Sequence, residues 1–212
     1  MIASPPDLTR VERAVIEFPR LEGRAVLIPG GFVLSAAHCI GWSAEGYTAL
    51  DGGSLETGQA ADGRSLTLNV LALEPVPEIA ILGSPDDQRF SEQAEDFARF
   101  VEETEPVPLF RGEIPLFPDT MLVLIFNRNR RWVLATAKIF HPNDVRMVIA
   151  ADERIEQGAS GGPIVTLSGE LVGVVSWCSV SAHEGAYRGQ APRPLFALPV
   201  WAVNAINASA EL

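Results

Sequence analysis

The chain is poor in cysteine. Only two, Cys39 and Cys178, stand in 212 residues. Two thiols so far apart build no disulfide framework, so the fold must rest on an apolar core. Free, partly buried thiols are the expected reading, with one bridge as the alternative. Histidine is scarce as well, with three in all, and no Cys/His/Asp/Glu run has metal-ligand spacing, so no metal site is expected. Long apolar runs are missing: no segment approaches the ~20 consecutive apolar residues of a membrane span. The opening MIASPPDLTRVERAV has no basic start followed by an apolar run, so it does not read as a secretory signal. The expected location is therefore the cytoplasm, and the Asn207-Ala208-Ser209 sequon is discounted on that ground.

Positive charge is also in deficit. Sixteen Lys and Arg face 27 Asp and Glu, a net charge of −11, which disfavours nucleic acid and acidic membranes as partners. The one basic cluster, Asn127-Arg128-Asn129-Arg130-Arg131, falls where a hairpin loop is expected. Only Phe126 and Trp132 flank it, too little aromatic support for a nucleic-acid site.

What the chain does have is short strands. Val11–Glu17, Arg24–Ile28, Phe32–Ser35, Gly46–Leu50, Ser65–Leu73 and Ile79–Leu82 form one set. Met121–Phe126, Trp132–Phe140, Val145–Ala150, Pro163–Leu167, Glu170–Ser176 and Leu195–Leu198 form a second. They are rich in Val, Leu and Ile, and Gly, Pro, Asp or Asn punctuate them. Two sets of about six short strands suit an all-β sandwich or a pair of barrels.

Between the sets the period changes. FSEQAEDFARFVEE places Phe90, Ala94, Phe97, Ala98 and Val101 at helical spacing with acids opposite, which predicts a linking amphipathic helix packed on the core. Ser84-Pro85 is the expected start signal of that region. A short helix is expected again around Trp201–Ile206. The resulting plan is an N-terminal half over 10–84, a linker over 85–105, a C-terminal half over 106–198 and a closing helix over 199–212.

Chemistry enters at RIEQGASGGPIV, residues 154–165. Ser160 sits among three glycines, an alanine and a proline. A serine hydroxyl needs a base to become a nucleophile, and acyl transfer needs donors for the oxyanion. The N–H groups of Gly158 and Ser160 are the natural donors. A glycine-rich hairpin without chemistry is the alternative. The stretch also fits the loose pattern Gly-x-Ser-x-Gly, but that elbow opens a helix, and Pro163-Ile164-Val165 here predicts a strand. A base is better sought upstream. His38 ends the apolar run Phe32-Val33-Leu34-Ser35-Ala36-Ala37, so a strand would deliver it to a barrel edge. His141 and His183 have only loop context.

Leu34-Ser35-Ala36-Ala37-His38-Cys39 resembles the histidine motif of the trypsin/chymotrypsin family of serine proteases. Gly158-Ala159-Ser160-Gly161-Gly162-Pro163 resembles its serine motif, and Glu170-Leu171-Val172-Gly173-Val174-Val175-Ser176-Trp177 the substrate-binding strand that follows. The order and spacing also agree. The resemblance implies two six-stranded antiparallel β-barrels with the site between them. It implies peptide hydrolysis on a protein or peptide substrate, without metal or organic cofactor.

The family's acid motif, Asp-Ile-Ala-x-Leu, is matched by Glu78-Ile79-Ala80-Ile81-Leu82, with glutamate for aspartate. Glu78 is the expected orienting acid, and Glu74 is the alternative outside the motif. The extra methylene, about 1.5 Å, requires a set-back backbone, for which Pro77 is the candidate cause. By the same resemblance, Ser176, Trp177 and Cys178 pair with the substrate backbone, and Ile155 lines the first specificity pocket. The residue before the serine is Ala159 where trypsin-like zymogens carry an aspartate, so N-terminal insertion is not expected to activate this site. Cys39 has no upstream cysteine to pair with. Both departures point to a bacterial, intracellular type of trypsin-like peptidase controlled by other means, a protein activator among them. A catalytically weak or inactive peptide-binding module, and an esterase with the same triad, remain the competing readings.

Overall fold

The computed structural model describes residues 8–20, 22–40, 55–74, 78–141, 147–151 and 153–176. Eleven strands are assigned among them. Strands β1 (Val15–Phe18), β2 (Gly23–Ile28), β3 (Phe32–Ala36), β4 (Leu55–Ala60), β5 (Ser65–Glu74) and β6 (Ile79–Gly83) close an antiparallel barrel in the order β1-β2-β3-β6-β5-β4. Every residue of β2 and β6 is buried, as the apolar runs Ala25–Ile28 and Ile79–Leu82 require, and Arg24 is the one charged residue they take with them. Closure comes through β1 and β4, which pair Ile16 with Ala60 and leave no free edge.

The second half is different. β7 (Met121–Phe126), β8 (Trp132–Lys138), β9 (Val148–Ala151), β10 (Pro163–Thr166) and β11 (Leu171–Val174) form a five-stranded antiparallel sheet in the order β11-β10-β7-β8-β9. Among the described residues it is an open sheet, which corrects the expectation of a second closed six-stranded barrel. The strand expected at Leu195–Leu198, the one at Gly46–Leu50 and the closing helix over 199–212 lie outside the described residues.

Three other expectations change. Val11 belongs to a short helix, α1 (Thr9–Arg13), rather than to the first strand, because the Glu12 and Ala14 N–H groups bond back to Leu8 and Arg10 carbonyls. The sixth barrel strand is β4, whose sequence LETGQA is too polar and glycine-broken to announce itself. The linking helix α2 runs over Ser91–Glu103, well after Ser84-Pro85, and no side chain caps it. The Ser84 hydroxyl instead donates to the Pro85 carbonyl. Ala94, Phe97 and Phe100 form its buried stripe, while Ala98 is exposed.

Two cores result. The larger fills the barrel, takes in Phe97 and Phe100 of α2, and reaches Val165, Leu171 and Val174 of the second sheet. The smaller lies within the second sheet and includes Ile149, Ile155, Ala159 and Ile164. The halves are also stitched through the segment after α2. The Val107 N–H donates to the Leu27 carbonyl, the Phe110 N–H to the Leu171 carbonyl, and the Leu171 N–H to the Pro108 carbonyl.

Candidate active site

Register places the first two polar groups. β3 and β6 pair to their ends at Ala36 and Ile79, so the residues just beyond them face each other. The Ala37 N–H donates to the Glu78 carbonyl at 2.8 Å. A single 3-10 turn, Ala37–Ile40, follows β3 and turns His38 out of the barrel while burying Cys39. Glu78 itself has φ +62°, in the left-handed region that a β-carbon disfavours by about 1–2 kcal/mol. The strained backbone lets the longer acid side chain meet the imidazole: His38 Nδ1 lies 2.6 Å from Glu78 Oε1. Pro77, the candidate cause of that geometry, lies outside the described residues.

The second carboxylate oxygen is used as well. The Ser176 hydroxyl donates to Glu78 Oε2 at 2.5 Å, so Glu78 is fixed from both halves of the molecule. Ser176 was expected to act through its main chain; the side-chain contact depends on an approach between residues 98 apart and has no local signature. Trp177 and Cys178 lie outside the described residues, as does His183. His141 is exposed at the far end of the second sheet, after β8.

His38 is about one-third exposed, with 37% of its side chain accessible. Burial works against its charge, yet the neighbouring Cys39 and Glu78 side chains outweigh this and raise its pKa to about 10. His38 therefore holds its proton more tightly than a free imidazole.

The serine loop is built by the β10–β11 ladder. Pro163 pairs with Val174, the Val175 N–H donates to Gly162, and the Gly161 N–H donates to Val175. On its other side the loop touches the barrel, where the Arg24 N–H donates to the Ser160 carbonyl at 2.8 Å. Gly161, at φ +74°, is pressed so closely on β2 that a β-carbon there would stand 1.8 Å from the Arg24 carbonyl oxygen. That carbonyl also accepts the buried Ser35 hydroxyl at 2.6 Å. Ser160 is thus held between both halves, partly buried. Its hydroxyl makes no hydrogen bond with His38 or any other described residue. Nor do the N–H groups of Gly158, at φ +92°, and Ser160 donate to any described residue.

Two residues that the sequence did not single out hold this arrangement. Arg24 is 4% exposed, and its guanidinium spans the halves, donating to the carbonyls of Asn127 and Arg128, each at 2.6 Å. Asn127, 3% exposed, takes the Glu156 N–H on Oδ1 and donates to the Arg154 carbonyl, which pins the approach to the serine loop. Ile155 and Ala159 are buried in the second core. Cys39 is a free thiol, and a β-carbon on Gly23 would stand 2.5 Å from its sulfur. Among the described residues no three His, Cys, Asp or Glu side chains group to hold a metal ion.

Comparison with known proteins follows the same lines. Residues 128–203 match the family model described as Trypsin. No curated protein matches the chain. Among solved structures, the Rv3671c protease in its inactive form is 20% identical with a TM-score of 0.55, covering 98% of each chain. A serine endoprotease from Yersinia pestis is 16% identical with a TM-score of 0.58, covering 96% of this chain and 65% of its own. The HtrA-type protease AlgW, solved with a decapeptide, is 16% identical at the same TM-score of 0.58, covering 96% of this chain and 66% of its own. At these identities the likeness is one of fold. The sequence thus resembles the Trypsin family over residues 128–203, and the fold resembles these protease structures over nearly the whole length.

Proposed function

We propose that the protein is a serine endopeptidase working through Ser160, His38 and Glu78. The observation that carries this is the chain of contacts from Ser176 through Glu78 to His38 Nδ1. A carboxylate on Nδ1 fixes the tautomer that leaves Nε2 free to accept a proton, and it stabilises the imidazolium once formed. In the reaction, Ser160 Oγ attacks the substrate carbonyl carbon as His38 Nε2 takes the hydroxyl proton. The tetrahedral oxyanion lies against the N–H groups of Gly158 and Ser160. The same proton passes to the leaving amine, the C–N bond breaks, and an acyl-serine remains. Water then attacks that ester with His38 again as base, releasing the acid and restoring Ser160. The main chain from Ser176 onward would align the substrate as an added strand.

Ala159 lies buried among apolar side chains and offers no carboxylate to a new N-terminus, which supports a site formed without N-terminal insertion. The free Cys39 packed on Gly23 fits a reducing compartment such as the cytoplasm. Control by a protein activator or a restricted substrate fits a Ser160 hydroxyl that is not bonded to His38. High activity of the purified chain on unfolded casein would argue against such control.

The same missing Ser160–His38 bond favours a second reading, a peptide-binding module without turnover. A fluorophosphonate probe separates the two. Labelling of the wild type that Ser160→Ala abolishes supports the protease. A folded protein that stays unlabelled across the pH range, yet binds peptides equally well with Ser160→Ala, supports the binding module.

A further inference from the structure

A cleft of about 350 Å³ opens beside the serine loop, where the β1–β2 hairpin meets the β7–β8 hairpin. Its walls include Glu17, Glu22, Arg24, Arg128, Arg130 and Gly158. It lies across the loop from β11: Ser160 is bonded to Arg24 on this side, and Gly161 to Val175 on the other. A peptide whose acyl half runs along Ser176 therefore crosses Gly158 and enters this cleft with its leaving-group half.

The charges here are unevenly spent. The Arg24 guanidinium is committed to backbone carbonyls and to Glu17 at 3.6 Å. Arg128 and Arg130 are exposed and form no ion pair with any described residue. The stem of Arg128 lies along Gly158, its Cγ and Cδ 3.3 Å from where a β-carbon would be. Arg130 sits at φ +59°, a turn position that glycine or asparagine would fill without strain. Both guanidiniums are close enough to Arg24 to depress its pKa further, after burial and against Glu17. Glu22 is the one carboxylate of the cleft with no ion-pair partner among the described residues. In a chain of net charge −11, two uncommitted guanidiniums at the mouth of the site are a local reversal of sign.

We propose that this cleft selects acidic side chains in the leaving-group half of the substrate, through Arg128 and Arg130. The direction of the peptide rests on the protease reading above; the charge preference of the cleft does not. The test uses two peptide libraries with the same randomised first half, one ending in glutamates and the other in glutamines. Binding to Ser160→Ala is measured at low and high salt. The glutamate library is expected to bind about fivefold tighter at low salt, and the margin to shrink with salt. Arg128→Ala/Arg130→Ala should abolish the margin, and Glu22→Gln should widen it. Arg130→Glu, which keeps a long side chain at the turn, should invert it. Equal binding of both libraries, or a margin that survives Arg128→Ala/Arg130→Ala, overturns the proposal. Fluorophosphonate labelling of the wild type is read in parallel. If it fails while the margin stands, the protease reading falls and the acidic-ligand cleft remains.

Discussion

The two halves of the molecule bring different things to the site. The first is a closed barrel whose strands β3 and β6 stay paired as far as Ala36 and Ile79, close to His38 and Glu78. Its two polar groups are already bonded, at 2.6 Å. The second is an open sheet among the described residues, and it supplies a loop whose serine hydroxyl and two N–H groups are uncommitted. On the proposed reading, the base side is organised in advance and the nucleophile side still has bonds to make. At the site they are coupled by Ser176 to Glu78, by Arg24 to Ser160 and to the turn at Asn127, and by Gly161 against β2.

The largest test acts on the uncommitted side. Ser160→Ala should lower hydrolysis and fluorophosphonate labelling on the order of 10⁴-fold or more. It should leave the unfolding midpoint in denaturant nearly unchanged, since Ser160 Oγ bonds no described residue. The organised side should behave in a related way. Glu78→Gln should cost about 10⁴-fold in kcat by favouring the wrong imidazole tautomer. Glu78→Asp probes the strained backbone instead: a side chain shorter by about 1.5 Å reaches His38 or Ser176 but not both, for a loss of about 10- to 100-fold. A kcat for Glu78→Asp equal to that of wild type would break the link between the left-handed Glu78 and its double contact.

Next come the couplers. Gly161→Ala places a methyl on the Arg24 carbonyl at a positive φ, so it should cost on the order of 3 kcal/mol in urea denaturation. An unchanged midpoint would mean that the halves do not press together at this point. Ser176→Ala should slow kcat by about tenfold and leave the fold intact, since it removes one bond to a carboxylate that His38 still holds through its other oxygen.

These couplers mark the limit of what the sequence discloses. Runs such as Ala25–Ile28 and Ile79–Leu82 read directly as strands, because burial on both faces leaves them without a polar residue. β4 does not, since LETGQA carries the polarity of a half-exposed strand and a glycine. The motif residues His38, Glu78 and Ser160 were legible from local pattern. The hydroxyl of Ser176, the buried guanidinium of Arg24 and the amide of Asn127 were not. Each takes its role from partners that chain topology brings close, and a lone arginine in an apolar strand carries no sign of which carbonyls it will meet.

The smallest effect is the sharpest test of the contrast between the halves, because it moves stability and activity in opposite directions. The folded His38 pKa, about 10, lies above the ordinary value of about 6.5 expected when unfolded. Its pairing with Glu78 therefore stabilises the fold fully below pH about 6.5, and that contribution is lost as pH rises through about 10. With 37% of the side chain exposed, solvent screening limits the contribution to about 1 kcal/mol or less. The neutral imidazole that can accept the Ser160 proton appears over the same interval, so labelling of Ser160 should climb between neutral pH and about 10 while stability declines slightly. Glu78→Gln removes the charge that holds the proton, so the labelling that remains should reach its plateau at lower pH. A labelling profile already flat at neutral pH in the wild type would mean that the imidazolium is not the resting state.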